Sequence, residues 1–488
     1  MLSTQLPHQT SSLDSTKPDH LYLNDCHSQL NRTLAAKITQ PKSLKQLVAV
    51  LTTARKLGLS VTPFGGKHAM GGQQFGTGSV AIDTRGLNRV LGLDKSTGIL
   101  EVEAGISWTQ ILGWLDRTRP DHGHLAGPHG WAIAQKQTGA DELTIGGSLA
   151  ANAHGRGLQK SPMIEDVESF TLLDPEARLL QCSRTKNADL FSAVIGGYGM
   201  FGLIYSVQLR LVPRRKLERI VTTIQTDTLM SSFAERIAAG FQFGDFQFQI
   251  NDKADDFLRH GIFSCYQDAP GNREIPNDQP ALQSDDWLNL LHLAHTDKSK
   301  GFNLYQEHYL RTNQTLHWSD AHQFTTYVDG YHKEIDRRLK SKCPGSEMIS
   351  ELYVPRPLLR QFLELAREDL RRHGASVIYG TVRLIEEDSE SFLNWAREPW
   401  ACVILNLCVQ HSPAGIARAK TAFRQLIDRA IELGGSYYLT YHRFARRDQV
   451  EAAYPQFPEF LKQKQEWDPR NQFQSDWFRH HQALFSND

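Results

Sequence analysis

Two glycine-rich turns carry the residue types and spacings from which chemistry could be built. The first turn, residues 63–72, reads Pro-Phe-Gly-Gly-Lys-His-Ala-Met-Gly-Gly and follows a short apolar segment. A strand that runs into consecutive glycines exposes backbone N–H groups, and such groups can hold a phosphate. On its own this pattern is weak, because many such turns only reverse the chain.

The second turn, residues 137–157, is dense in glycine, alanine and serine. Small side chains let the backbone approach a large planar ligand closely. The same composition is also typical of a buried, tightly packed hairpin or helix, so this alternative stays open.

A third glycine cluster, Gly197-Tyr-Gly199-Met-Phe-Gly202, has the G-x-G-x-x-G spacing of dinucleotide-binding loops. That loop needs a strand before the glycines and a helix after them. Here a helical pattern precedes the glycines and an alternating strand pattern follows. The cluster therefore predicts a tight helix-to-strand turn rather than a nicotinamide site.

Arg383 lies within an apolar strand pattern over residues 377–385. Burying an unpaired guanidinium is costly, so this arginine needs an anionic or oxygen-rich ligand or a structural salt bridge. His122, His124 and His129 are close in sequence but have no cysteine or carboxylate partner at ligand spacing. We therefore predict no metal site there.

Composition excludes several classes of protein. The chain has 488 residues with 54 Lys+Arg and 54 Asp+Glu, and a zero net charge argues against a general nucleic-acid binder. No apolar run approaches the ~20 residues needed to cross a bilayer, and no signal peptide is visible. The six cysteines are scattered without a C-x-x-C, which favours free thiols in a reducing compartment.

The pattern of elements predicts an α+β fold. Capped helices are expected from Ser43 and Ser107, short strands at 59–63, 80–83 and 99–103, and a hairpin over 167–183. The second half predicts a loop at 266–300, helices at 358–372, 389–397, 416–433 and 457–466, and strands at 377–385, 402–409 and 437–441. We divide the chain into a disordered lead-in (1–22), a first domain (23–213), a second domain (214–445) and a C-terminal segment that packs back on the first domain (446–488).

Five motifs in a fixed order carry a resemblance to a known family. They are the Gly-Gly-x-His turn ending at His68, the segments 144–147 and 154–155, the hairpin segment 166–174, and the segment 189–204. Over roughly residues 25–215 they resemble the flavin-binding domain of the vanillyl-alcohol oxidase / p-cresol methylhydroxylase (PCMH) superfamily. The second half looks like the alditol and aldonolactone oxidase branch and the decaprenylphosphoryl-ribose oxidase, through segments 379–383, 434–442 and 468–476.

This resemblance implies a PCMH-type FAD-binding domain, an α+β substrate or cap domain, and FAD as the cofactor. The implied FAD-binding residues are Gly65, Gly66, Lys67, His68, Ala69, Met70, Thr138, Gly139, Thr144, Gly146, Gly147, Ala150, Asn152, His154, Gly155, Ile204 and Tyr438. The implied catalytic residues are Arg383, Tyr441, His442 and His154.

The roles of the histidines and of Arg383 follow from the same resemblance. His68 is the candidate for a covalent bond to the flavin, and the alternative is a histidine that only lines the turn. His154 would face the flavin ring or be a core histidine bonded to backbone. Arg383 would point at substrate or flavin. Relatives of the alditol type often have a lysine near Tyr441, so here either Tyr441 or His442 is expected to bind the substrate or act as the base.

The implied activity is oxidation of a CH–OH group of a sugar, polyol, aldonolactone or related alcohol by hydride transfer to flavin N5. The electron acceptor would be O2, a quinone or a cytochrome. The alternatives are a flavin-dependent reductase of the sterol Δ24-reductase type and a flavin subunit of a larger redox complex. We expect a cytoplasmic location that still allows peripheral membrane association, no integral membrane segment and no nucleic-acid partner.

Overall fold

The structure is a computed structural model that describes residues 19–119, 128–271, 273–324, 328 and 330–486. Most of the predicted lead-in falls outside these residues, as do His122 and His124. At the end of the lead-in, Asp19–Leu21 form a short 3-10 turn. About 36% of the chain is helix and 25% is strand, which fits the predicted α+β class.

The helices and strands of the described residues alternate along the chain. In chain order the helices are α1 (Leu44–Lys56), α2 (Trp108–Thr118), α3 (Ile145–Ala151), α4 (Ala188–Val194), α5 (Leu229–Ala238), α6 (Ser284–Thr296), α7 (Lys298–Arg311), α8 (Tyr331–Leu339), α9 (Leu359–Arg372), α10 (Pro413–Glu432), α11 (Arg447–Ala453), α12 (Phe457–Trp467) and α13 (Asp476–Phe485). The strands are β1 (Tyr22–Leu23), β2 (Thr33–Leu34), β3 (Lys37–Thr39), β4 (Val61–Phe64), β5 (Val80–Asp83), β6 (Val90–Asp94), β7 (Ile99–Glu103), β8 (Trp131–Ala132), β9 (Val167–Leu173), β10 (Leu179–Ser183), β11 (Leu203–Arg210), β12 (Val212–Pro213), β13 (Lys216–Gln225), β14 (Phe243–Phe248), β15 (His260–Asp268), β16 (Leu316–Trp318), β17 (Gly345–Pro355), β18 (Val377–Ile385), β19 (Trp400–Gln410) and β20 (Ser436–Tyr437).

The first half contains two larger sheets and two small two-stranded ones, β1-β2 and β12-β8. A parallel sheet has the order β3-β5-β4, and an antiparallel sheet has the order β10-β9-β11-β7-β6. Helix α1 begins because the Ser43 hydroxyl accepts a hydrogen bond from the backbone N–H of Gln46. It ends before Gly58, whose φ of +66° few other residues adopt. The predicted helix start and the predicted glycine stop are both confirmed.

The Gly197–Gly202 cluster joins α4 to β11, so the predicted helix-to-strand turn is confirmed. Gly202 has a φ of +152°, and a Cβ there would lie 2.6 Å from the carbonyl oxygen of Leu173. Gly202 is therefore required by close packing of the backbone.

The second half is built on one eight-stranded sheet. Its order is β16-β13-β15-β14-β18-β19-β17-β20. Helices α9 and α10 pack on β17, α10 also on β19, and α6 and α7 pack on β18, β13 and β15. Strand β18 occupies the predicted residues 377–385 and lies near the middle of the sheet, which places Arg383 inside the molecule.

The C-terminal tail packs against the first half. The backbone N–H of Val61 donates to the carbonyl of Gln472, and the N–H of Gln474 donates to the carbonyl of Val61. Phe473, fully buried, joins the core formed by α1, β4 and β5. The tail thereby acts as an added strand at the edge of β4.

Three predicted elements are wrong. Within 266–300, residues 284–296 form α6, which is capped by Gln283 and Asp286. Residues 389–397 form turns, because the Asp388 carboxylate accepts hydrogen bonds from the N–H groups of Glu390 and Ser391. The strand expected at 437–441 stops at Tyr437.

All six cysteines are free thiols, as predicted. Among the described helices, none combines the length and apolarity needed to span a bilayer.

Candidate functional site

A deep cavity lies between the first-half turns and the eight-stranded sheet of the second half. It brings together most residues that the sequence pointed to. The predicted FAD-binding residues on its wall are Gly65, Gly66, Lys67, His68, Ala69, Met70, Thr138, Gly139, Thr144, Gly146, Gly147, Ala150, Ile204 and Tyr438. Of the predicted catalytic residues, Arg383 and Tyr441 also line it.

The two glycine-rich turns touch each other at the cavity wall. A Cβ on Gly65 would overlap the Thr144 hydroxyl, so only glycine fits at this contact. Thr144 in turn caps α3, because its hydroxyl accepts a hydrogen bond from the N–H of Gly147. The Gly146 N–H donates to the carbonyl of Ala104, and this anchors α3 to the chain that follows β7.

The first turn is also tied to the second half of the chain. The backbone N–H groups of Met70 and Gly71 both donate to the carbonyl of Thr440, at 3.2 and 3.0 Å. Gln73 donates through its side chain to the carbonyl of Leu439. These bonds explain why the predicted strand ends early, since residues 439–440 leave the sheet to meet the turn.

Several buried polar atoms on the first-half wall have no hydrogen-bond partner in the described part of the chain. They are Gln73 Oε1, Gln74 Oε1, Gln137 Oε1 and Thr138 Oγ1. Buried polar atoms are rarely left unpaired, so these atoms indicate a ligand that offers donors and acceptors. The residues present therefore fit FAD, whose ring edge, ribityl chain and diphosphate are rich in such groups.

His68 lies on the cavity wall and contacts two residues from the N-terminal part of the chain. Its Nδ1 is 2.9 Å from His27 Nε2 and 3.4 Å from Cys26 Sγ. Burial, together with the nearby His27, lowers the pKa of His68 to about 3. The imidazole is therefore neutral at physiological pH, the form in which it is a nucleophile.

Arg383 points into the cavity from β18. Its side chain is almost fully buried, at 5% exposure. Within the described part of the chain, its only hydrogen bond is a long one, 3.5 Å from Nη1 to the carbonyl of Gly155. Its Nε has no partner, and among the described residues no carboxylate forms an ion pair with it. The structural salt bridge considered from the sequence is thus absent from the described residues.

Glu351, on β17, is a buried carboxylate that the sequence reasoning missed. Its Oε1 accepts hydrogen bonds from Tyr353 at 2.7 Å and lies 2.5 Å from His154 Nε2, while Oε2 has no partner in the described chain. Burial acts to raise the pKa of Glu351, but His154, Tyr353 and Arg383 outweigh burial and lower it. Burial and then the negative charge of Glu351 raise the pKa of Tyr441 well above its usual value.

Arg156 was also missed, although it lies inside the second glycine-rich turn. It lines the cavity and donates to Asp245 and Tyr266, and its Nε finds no partner among the residues that the structure describes. A buried arginine between two glycines was the available signal, because a guanidinium at that position needs acceptors.

Four predicted site residues are not on the cavity wall. Asn152 ends α3 with a φ of +47° and donates to Asp388, and Gly155 packs against Lys136. His154 lies one layer behind the wall, between the Gly155 carbonyl and Glu351. His154 was expected to face the flavin ring, but it does not line the cavity directly.

His442 lies in the core of the second half. Its ring stacks near Phe423 and Phe444, with centroids 4.6 and 5.3 Å away. Burial lowers the pKa of His442 to about 3. His442 is therefore not among the residues that line the cavity, whereas its neighbour Tyr441 is.

Comparison with known proteins agrees with the first-half architecture. Residues 35–183 match the family described as FAD binding domain. L-gulonolactone oxidase of Mus musculus is 31% identical over 175 residues, 36% of this chain and 37% of that protein. Cytokinin dehydrogenase 7 of Oryza sativa subsp. japonica is 30% identical over 205 residues, 39% of this chain and 36% of that protein.

An uncharacterised oxidoreductase of Rhodococcoides fascians, ORF5 of the fasciation locus, matches over a longer stretch. It is 26% identical over 273 residues, 54% of this chain and 58% of that protein. The chain thus spans less than two thirds of the length of each of these relatives.

The fold and these matches define an FAD-binding protein. Residues 35–183 form an FAD-binding domain of the PCMH type, and the cofactor is FAD. The family resemblance and the cofactor predicted from the ordered motifs are confirmed.

Proposed function

We propose that this protein is an FAD-dependent oxidoreductase that oxidises the CH–OH group of a sugar, polyol, aldonolactone or related alcohol. The observation that carries the proposal is Arg383, a buried cation without an ion-pair partner in the described chain, on the cavity wall opposite an FAD-binding domain. The partial match to L-gulonolactone oxidase supports the same substrate class.

The cofactor would be held by the first-half wall. Backbone of the Gly65-Gly66 turn and of the segment around Gly146 would approach it closely, and Gln137 and Thr138 would offer their unpaired oxygens. When bound, FAD supplies an acceptor for the hydride that leaves the substrate carbinol carbon. His68 is positioned in the same wall as the candidate for a covalent link.

The substrate hydroxyl would be oriented by the second-half wall. The guanidinium of Arg383 can donate two or more hydrogen bonds to oxygen atoms in a fixed geometry. Tyr441 keeps its phenolic proton at neutral pH because its pKa is raised by burial and by Glu351. It can therefore hold the substrate hydroxyl and relay its proton: Tyr441 takes up the hydroxyl proton as it gives its own phenolic proton to the carboxylate of Glu351, which His154 contacts.

The test is anaerobic reduction of the bound flavin. Purified holoprotein would be mixed with L-gulono-1,4-lactone, xylitol and sorbitol in turn, and the yellow flavin absorbance followed in a stopped-flow instrument. We expect saturable loss of absorbance with at least one alcohol of this class. Reduction by NADPH alone would support the reductase alternative, and the absence of any reduction by isolated protein would support the redox-subunit alternative.

We also propose that the protein is cytoplasmic and that O2, a quinone or a cytochrome accepts the electrons of the reduced flavin. Reoxidation of the reduced flavin by O2, by a soluble quinone and by a cytochrome, measured side by side, would identify the acceptor. The fastest of the three reactions would decide between oxidase and dehydrogenase.

A further inference from the structure

One side of the cavity is lined by the apolar faces of α6 and α7. From α6 the lining residues are Trp287, Leu290, Leu291 and Ala294, at positions i, i+3, i+4 and i+7. This spacing places all four on one face of the helix, and that face turns toward the cavity. The opposite face carries polar residues such as Asp285 and Asn289, which are exposed.

Helix α7 and the sheet continue this apolar wall. Phe302, Tyr305 and Tyr309 of α7 line the cavity, and the Tyr305 hydroxyl donates to that of Tyr309. Because Tyr309 also accepts a hydrogen bond from Gln247, the two phenols are paired within the protein. The sheet adds the side chains of Phe248, Ile349, Ile378 and Ile404, and Ile250 lies just after β14.

The polar part of the wall is contiguous with this apolar part. Strand β18 contributes Ile378 to the apolar side and Thr381 and Arg383 to the polar side. Thr381 Oγ1 and Asn406 Oδ1 are buried and have no partner among the described residues. Between Ile378 and Arg383 of this strand, therefore, the cavity wall changes from an apolar surface to one with unpaired polar atoms.

A free polyol matches the polar part of this cavity but not its apolar part. It would present hydroxyl groups to Leu290, Leu291 and Ile378, and burying a hydroxyl without a partner is costly. A purely apolar ligand is also excluded, because it would leave Arg383 and Thr381 unpaired. The cavity is complementary to a molecule with one oxygen-rich end and one apolar end.

We propose that the substrate is an alcohol whose oxidised end carries several oxygen atoms and whose other end is a bulky apolar group held by α6 and α7. This inference rests on the proposed function, because it assumes that the cavity holds the alcohol that is oxidised. It narrows the substrate class from sugars and polyols in general to amphiphilic alcohols.

The test compares two ligands with the same head. Binding of 1,2-butanediol and 1,2-octanediol to the FAD-loaded protein would be measured by isothermal titration calorimetry. The four additional methylene groups would be buried against the apolar faces of α6 and α7, which strengthens binding. We expect the longer diol to bind at least tenfold more tightly.

Two matched variants locate the effect. Leu290→Asn changes a residue on the cavity wall, whereas Leu288→Asn makes the same change on the same helix at a residue that does not line the cavity. We expect Leu290→Asn to remove most of the preference for octanediol and Leu288→Asn to leave it unchanged. Because both leucines are only partly buried, neither change should prevent folding.

The outcomes separate this inference from the proposed function. Equal affinity for the two diols, no measurable binding of either, or equal effects of the two variants would overturn the amphiphilic substrate. Since binding is measured without turnover, a protein that prefers octanediol but whose flavin no alcohol reduces would retain the apolar subsite and refute the oxidoreductase proposal instead.

Discussion

The two walls of the cavity are built from different materials. The first-half wall consists largely of backbone and small residues, with Gly65, Gly66, Gly146 and Gly147 at its centre. The second-half wall consists of long side chains, namely Arg383 and the aromatic rings of α6 and α7. A wall of backbone suits a cofactor that is the same molecule in every related protein. A wall of side chains can change by single substitutions and so fit different substrates.

Because of this difference, substitutions in the two walls should have opposite effects on cofactor content and on turnover. In the first wall an added atom has nowhere to go, so substitutions there should expel the cofactor. In the second wall a removed atom leaves a buried group or ligand atom unpaired, so substitutions there should weaken transition-state binding while the cofactor remains. The variants below test this contrast.

The largest effect is expected for Gly65→Ala. The new methyl group would overlap the Thr144 hydroxyl and push apart the two glycine-rich turns. Overpacking of this kind costs about 1–3 kcal/mol, and here the displaced turns are those that would hold FAD. We expect the FAD content of the purified protein, measured by absorbance, to fall steeply and turnover to fall with it.

Gly92→Ala is the matched control, because a Cβ at Gly92 meets no atom within 4 Å. It should keep its full flavin content. If Gly65→Ala retained FAD at the wild-type level, the first wall would be more adaptable than its packing indicates, and the contrast between the walls would be lost.

Arg383→Met should lower kcat/KM by roughly 100-fold, because hydrogen bonds to a charged group contribute about 1.5–3 kcal/mol. Its FAD content should stay at the wild-type level. Arg383→Lys keeps the charge but loses the planar fork, so it should recover only part of the activity. Steady-state kinetics and melting temperatures of both variants provide the measurement.

Arg356→Met is the control for loss of a partly buried arginine, since Arg356 bonds to the carbonyls of Trp400 and Ile385 and to Glu386. It should lower the melting temperature and leave kcat/KM of the folded protein near wild type. The assignment of Arg383 fails if its variants behave in this way too.

Glu351→Gln should lower kcat by about 10- to 100-fold with little change in KM. The change leaves the size of the side chain intact but removes the negative charge that His154, Tyr353 and Arg383 surround. It should also move the pH dependence of kcat, because the raised pKa of Tyr441 depends partly on that charge. A parallel fall in melting temperature with an unmoved pH profile would reduce Glu351 to a structural role.

His68→Ala tests whether His68, on the first-half wall, is covalently bonded to the flavin. If His68 forms the bond to the flavin, acid-precipitated wild-type protein should keep its flavin in the pellet, and the variant should release it. The variant should still bind FAD, because the glycine-rich turns remain, but react several-fold more slowly. Wild-type flavin that appears wholly in the acid supernatant would refute the link without affecting the FAD-domain assignment.

The first wall could be predicted from the sequence because its determinants are local. Strands Val80–Asp83, Ile99–Glu103, Val167–Leu173 and Leu179–Ser183 have the predicted bounds, since alternation and turn residues define each one within a few positions. The two glycine-rich turns are contiguous segments, and together with the hairpin segment 166–174 and the segment 189–204 they carried the resemblance to the family.

The second wall depends on residues that are far apart in the sequence. Glu351 is one of two carboxylates in β17. Its importance is visible only in the fold, which brings His154 and Arg383 beside it. Helices α6 and α7 were missed because the polar residues of their outer faces and of the loop before them hide the apolar repeat.

The smallest functional effect is expected for His442→Phe, which removes a residue assigned to the catalytic set by sequence alone. The phenyl ring can replace the imidazole in the stack with Phe423 and Phe444, so kcat/KM should change by less than about twofold.

The same variant should make the free energy of unfolding less dependent on pH in the acid range. Folding holds His442 neutral with a pKa of about 3, whereas an unfolded histidine takes up a proton below pH 6.5. Its contribution is therefore fully present above pH 6.5 and is lost as the pH falls, by up to about 2 kcal/mol between pH 6.5 and 5. Urea unfolding of the wild-type protein and the variant at both pH values measures the difference. If His442→Phe instead lost activity at pH 7 while retaining its FAD and its melting temperature, His442 would take part in catalysis together with the second-half wall and would not be only a core residue.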